Sequence, residues 1–100
     1  MSKVILSSFT RNHLRFLIPM VKYMCEKGNE VLLYTNFAEI ANDALAFKIN
    51  EYVDKYPRFY TLDASQEKSL LEYAENANSL LVTINISSRL FIFFKRSIVI

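Results

Sequence analysis

Residues Lys3 to Thr35 read KVILSSFTRNHLRFLIPMVKYMCEKGNEVLLYT. A short apolar run, Val4 to Leu6, leads into a polar loop, a helical pattern, one glycine and a second apolar run, Val31 to Tyr34. Strand, helix, strand is the smallest parallel crossover unit, and an unalternating apolar run belongs to a strand covered on both faces. Within the helical pattern, Leu14, Leu17, Ile18, Val21 and Cys25 fall on one stripe of a 3.6-residue helix, with Arg15, Lys22 and Glu26 off it. Asn12 predicts an N-cap. Lys27 and Gly28 predict the stop, a cation near the negative end and then a residue that takes positive φ. A proline costs ~3 kcal/mol inside a helix but is tolerated in the first turn. Pro19 therefore predicts a regular helix that begins near Phe16 to Ile18, or kinks there.

Outward from this unit the same kind of alternation continues. Asn36 with Glu39 is a capping-box variant. It predicts a second helix with Phe37, Ile40, Ala41, Ala44, Leu45 and Tyr52 on its buried side, ending near Asn50 to Asp54. Tyr56-Pro57 marks a connection, because the residue before proline avoids the helical region. Arg58 to Leu62 reads as a short third strand. Asp63 with Gln66 opens a third helix with Leu70, Leu71, Ala74 and Ala77 on one face, and Leu80 to Ile86 reads as a fourth strand. Ser87 to Arg89 reads as a turn or helix start. Beyond it, Leu90 to Phe94 and Ser97 to Ile100 are apolar around the basic pair Lys95-Arg96. The expectation is an α/β fold: a Rossmann-like, mostly parallel sheet of about four to five strands, helices on both faces, strand order 3-2-1-4. Residues 1–100 form one such domain. The chain stops inside an apolar run, and the expectation is an incomplete domain.

Composition narrows the function classes. Twelve basic residues against ten acidic ones give a net charge of +2, too balanced to argue for nucleic acid. The apolar share is 52%, above the usual ~45–50%. No window approaches the ~18–20 uninterrupted apolar residues of a membrane span, and no basic segment with a long apolar core opens the chain. The expectation is a cytoplasmic or membrane-peripheral protein without a transmembrane segment. The single cysteine, Cys25, allows no internal disulfide and lies on the buried stripe. The single glycine, Gly28, leaves no glycine-rich phosphate-binding loop.

Few residues remain to carry chemistry. His13, the only histidine, stands where the first strand hands over to the first helix, and open parallel sheets bind ligands along that edge. A histidine titrates near pH ~6.5, so it can serve as a general base, or it can be an ordinary surface or capping residue. Ser7, Ser8, Thr10 and Asn12 in the same stretch can hydrogen-bond a polyol or phosphate, or simply make the turn. Arg11 and Arg15 can draw in an anion or lie solvated. A catalytic histidine usually has a carboxylate to orient it; Asp63 follows the third strand at the right end of the sheet, two strands away. Tyr52, Tyr56, Phe59 and Tyr60 around Pro57 can stack on a flat ligand or pack between helix and sheet. Phe91, Phe93, Phe94, Lys95 and Arg96 form either a membrane-surface patch or core left uncovered.

The order Asn12-His13-Leu14, then Pro19, then Gly28-Asn29-Glu30-Val31, resembles the opening of GT-B glycosyltransferases of the UDP-glycosyltransferase-like kind, over about a third of the chain. Asn12 stands where that family usually has glycine, Phe16 where it often has a first proline, and Asn29 where it commonly has histidine. The resemblance implies that His13 is the base that deprotonates an acceptor hydroxyl, with Ser8, Arg11 and Asn12 shaping the acceptor site. It implies a small-molecule, lipid or glycan acceptor and a nucleotide-sugar donor as substrate rather than a resident cofactor. The donor would be held mainly by a C-terminal domain or partner subunit that this chain lacks, leaving it inactive alone. The competing expectation is a non-enzymatic α/β binding or assembly module in which His13 is incidental.

Overall fold

The computed structural model describes residues 3–8, 11–75, 79–83 and 96–99, with side chains for 3–8 and 12–73. Three strands with described side chains lie parallel: β1 (Lys3–Ser7) at one side, β2 (Glu30–Thr35) in the middle and β3 (Phe59–Asp63) beyond it. Lys3 sits opposite Glu30 and Val31 opposite Phe59, so the strands are in step along their length. Two further stretches are described as backbone: β4 (Ser79–Thr83) runs parallel beside β1, and β5 (Arg96–Val99) parallel beside β4. The order across the sheet is β3-β2-β1-β4-β5. The pattern predicted about four to five strands; among the described side chains, those of β1 to β3 form the three-stranded parallel part of the core. The end predicted for the fourth strand, Ile84 to Ile86, and the apolar stretch Leu90 to Phe94 lie outside the described residues.

The continuous apolar runs of β1 and β2 follow from burial on both faces. Val4, Leu6, Val31, Leu33 and Phe59 point to one side, where they meet Leu14, Leu17 and Val21 of helix α1 (Arg11–Glu26) and Ile49 and Tyr52 of helix α2 (Ala44–Lys55). Ile5, Leu32 and Tyr34 point to the other side and meet Leu70 of helix α3 (Glu67–Glu75). Each fully buried aliphatic side chain stabilises the fold by about 1.5–3 kcal/mol relative to exposure. Helices therefore cover both faces, and at this coarse level the layers agree with a Rossmann-like sheet.

Helix α1 departs from the expectation. It starts at Arg11, not near Phe16 to Ile18, so Asn12 lies inside it rather than capping it, and Pro19 falls in its middle. Pro19 is exposed, so the Arg15 carbonyl that loses its donor is on the solvent side, where water can serve it. The sheet-facing stripe begins with Leu14 at 0% exposure, and packing of that stripe sets where the helix starts. The C-terminal stop is as expected. Gly28 has φ +86°, its N–H donates to the Cys25 carbonyl (3.0 Å), and the Asn29 N–H donates to the Met24 carbonyl (3.1 Å). These two bonds make a Schellman cap. The Asn29 side-chain amide adds a second donor to Met24 (3.1 Å).

The second helix is split. Phe37–Ile40 is a 3₁₀ turn flanked by Asn36, whose side chain makes no cap bond. Helix α2 follows only at Ala44, where the Asp43 carboxylate accepts from the Leu45 N–H (3.1 Å). Ile40 is buried in the turn, whereas Ala41 and Ala44, expected inside, are exposed. Ile49 and Tyr52 seat the helix instead. In α3, Leu70 is buried and Leu71 half-buried; Ala74 and Ala77 lie outside the described side chains.

Candidate functional site

All three parallel strands end on one rim, where open α/β sheets bind ligands. Ser7 closes β1, Thr35 closes β2 and Asp63 closes β3. Helix α1 opens on the same rim because it follows β1 directly, and its first three residues are Arg11, Asn12 and His13. The polar stretch is therefore not one loop: Ser7 belongs to the strand and Asn12 to the helix, and only residues 8–10 connect them. Ser8 is 1% exposed, and its N–H donates to the Tyr34 carbonyl (3.0 Å), which holds the start of the connection against β2. Asn12 is exposed. His13 is half-buried, with Nδ1 shielded from solvent. Arg11 is placed as the first residue of α1. Beneath them Ser7 and Thr35 are buried, and Ser7 Oγ has no hydrogen-bond partner among the described residues.

The topology thus brings His13, Asn12 and Arg11 into one helical turn above the carboxyl ends of β1 and β2, with Ser8 under the surface. Asp63 has a different task. One oxygen accepts from the Phe37 N–H (3.1 Å), and the other from the Ser65 N–H (2.9 Å) and Ser65 Oγ (2.6 Å). The Ser65 hydroxyl and then the backbone N–H groups of Ser65 and Phe37 hold this carboxyl below the usual aspartate range. Asp63 clamps the loop after β3 to the loop after β2. The Tyr34 hydroxyl, donating to the Ala64 carbonyl (2.9 Å), and the Ala64 N–H, donating to Thr35 (2.9 Å), reinforce the same junction. The signal for this role is in the sequence as Asp63-x-Ser65, an Asx turn in which the side chain bonds two residues on. No protein-family model matches this chain, and neither does any curated protein or solved structure.

Other candidates scatter. Tyr52 and Phe59 are core, and Tyr56 is half-buried with its ring edge-on to Tyr52 at 5.8 Å; only Tyr60 is exposed, on the opposite face of the sheet. The aromatic cluster therefore divides between packing and surface. Cys25 is half-buried against the α1 side of the core, and burial, then the nearby Glu26, raises its thiol pKa. A polar cluster that sequence reading missed lies on the amino rim, far from His13 along the strands. The Tyr73 hydroxyl donates to Glu30, and Lys3 Nζ sits 3.7 Å from the same Glu30 oxygen. Burial, then the bond to Glu30, raises the Tyr73 pKa. Lys3 and Glu30 are directly paired in the β1–β2 register, so the cluster is legible only once that register is known. Among the described residues no group of three His, Cys, Asp or Glu side chains is placed to hold a metal, and no helix is long and apolar enough to cross a membrane.

Proposed function

We propose that this chain is the acceptor-side portion of a GT-B glycosyltransferase: a Rossmann-like N-terminal domain that receives an acceptor hydroxyl at the carboxyl rim. The observation that carries this reading is the position of His13, half-buried in the first turn of α1 on the rim where β1 and β2 end. In this reading His13 takes the proton of the acceptor hydroxyl, and with Nδ1 shielded the proton goes to Nε2. The acceptor oxygen forms a bond to the anomeric carbon of the donor sugar as the bond to the nucleoside diphosphate breaks, with inversion. Asn12 and Arg11 lie beside that hydroxyl and the groups around it, and Ser8 supports the connection from below. The donor nucleotide is bound by a C-terminal domain or partner subunit.

The test is turnover. The chain is mixed with donor-binding domains and UDP-sugars, and release of UDP is measured against a panel of acceptors, with His13→Ala as control. Transfer that appears on mixing and falls at least ~100-fold in His13→Ala, the scale of a lost general base, supports the reading. Transfer that survives the substitution removes His13 from the mechanism. The second reading, a non-enzymatic binding module, is favoured by one observation: the large aromatic side chains Phe16 and Tyr23 of α1 and Phe47 of α2 stand exposed.

A further inference from the structure

Helices α1 and α2 cover one face of the sheet, and each turns its inner stripe to the core, so both backs face outward. Each follows a strand that ends on the carboxyl rim, so the two helices run the same way. The Tyr56 hydroxyl, donating to Glu26 (3.1 Å), ties their far ends at one level. Phe16 and Tyr23 on the back of α1 are 68% and 64% exposed, and Phe47 on the back of α2 is 75% exposed. Seven residues are close to two full turns. Phe16 and Tyr23 therefore share one ridge of α1, and Phe47 and Asp54 share one ridge of α2. Single exposed apolar residues need no explanation, but two aromatics on one ridge beside a third on the next helix mark an interaction surface.

The two ridges differ in charge. Around Phe16 and Tyr23, α1 exposes Arg15, Lys22 and Lys27 against one acid, Glu26, which the Tyr56 hydroxyl engages. On α2 the exposed charges are Lys48, Glu51, Asp54 and Lys55. Both lysines lean back toward the inner stripe, Lys48 over the Tyr52 ring at 5.7 Å and Lys55 over the Tyr56 ring at 5.4 Å. Lys48 also lies 3.9 Å from Glu51. The ridge of Phe47 is thus left with Asp54, and the layer as a whole pairs a basic strip with an acidic one. An anionic bilayer would repel Asp54 and Glu51 wherever Phe47 entered it. A second copy meets both strips. A two-fold axis normal to the layer sets α1 of one copy antiparallel over α2 of the other, and repeats the match on the opposite side of the axis. The lengths agree, since Phe16 to Tyr23 and Phe47 to Asp54 each span about 10.5 Å. With Tyr23 against Phe47 of the second copy, Phe16 and its neighbour Arg15 come against Asp54 of that copy.

We infer that the outer surface of the α1–α2 layer is the contact face of a two-fold homodimer, in which Tyr23 meets Phe47 of the second copy and Arg15 pairs with its Asp54. This surface rests on no step of the reaction at the rim.

The test is the mass of the full chain by light scattering and sedimentation equilibrium, from micromolar to millimolar concentration. The expected result is a monomer–dimer equilibrium that closes at two copies. Tyr23→Ser with Phe47→Ser should weaken it at least ~10-fold, and Arg15→Asp, which sets like charges together twice, at least ~10-fold. The deciding variant combines Arg15→Asp with Asp54→Arg, which keeps the pair with its signs exchanged and should restore association to within ~3-fold of the wild type. All four side chains are exposed, so circular dichroism of every variant should match the wild type. A monomer at every concentration, a dimer that the folded aromatic variant leaves unchanged, or a charge exchange as weak as Arg15→Asp alone overturns the proposal. So does a monomer that floats with phosphatidylserine vesicles, which would give the ridges to a lipid surface.

Discussion

Asp63 shows how much one side chain can organise. Its two oxygens take three hydrogen bonds from two loops, and this fixes the separation of the β2 and β3 ends on the carboxyl rim. Because those bonds go to the ionised form, the folded-state pKa is depressed below that of the unfolded chain, near ~3.9. The sign follows: the contribution is fully present above the unfolded value and is lost as pH falls through the folded one. Urea midpoints measured from pH 6 downward should therefore drop in the acid range, and Asp63→Asn should be less stable at neutral pH with a shallower acid drop. An acid limb of unchanged slope in Asp63→Asn would show that other carboxylates set it. The Asx turn to Ser65 was a local signal in the sequence, although Asp63 was paired there with Gln66 as the opening of a helix. The bond to Phe37 was not, because it joins residues 26 apart in sequence.

At the scale of elements, helix α1 sets a local rule against a tertiary demand. A proline in a helix interior is about 3 kcal/mol less favourable than alanine. Pro19 is nonetheless in the middle of α1, because the buried stripe runs through it from Leu14 to Val21. Its ring is exposed, so its removal leaves no cavity. Pro19→Ala should therefore raise stability by about 2 kcal/mol in chemical denaturation, some of the propensity gain being offset by a freer unfolded chain. A loss of stability would mean that the ring packs against something in the fold. The stop of α1 was legible because Lys27-Gly28 is a local signal read within one turn. Its start was not, because packing against the sheet outweighs the proline. The same contrast explains α2: Asn36 and Glu39 satisfy a capping-box pattern, but Asp43 is the residue whose carboxylate reaches an amide, and Ile49 rather than Ala44 finds the core.

For the whole molecule, the two faces of the sheet are unequally covered. The α1–α2 face has a broad cluster of buried side chains, whereas among the described residues the α3 face rests on Ile5, Leu32, Tyr34 and Leu70. Leu70 is the helix's fully buried anchor, so Leu70→Ala should cost about 2–5 kcal/mol, and amide exchange should quicken in α3 before it does in α1. Equal loss of protection on both faces would instead mean that the sheet and its helices open as one unit. The sequence alone was enough for the parallel crossover unit, the stop at Gly28 and the place of His13 at a strand-to-helix switch, since hydrophobic period, turn chemistry and chain order are local properties. Only the tertiary structure decided that Ser8 is buried, that Asp63 clamps loops instead of facing His13, and that Phe16, Tyr23 and Phe47 share one outward side. Each of these depends on which distant segments pack together, and burial of whole stripes outweighs the preference of any single residue.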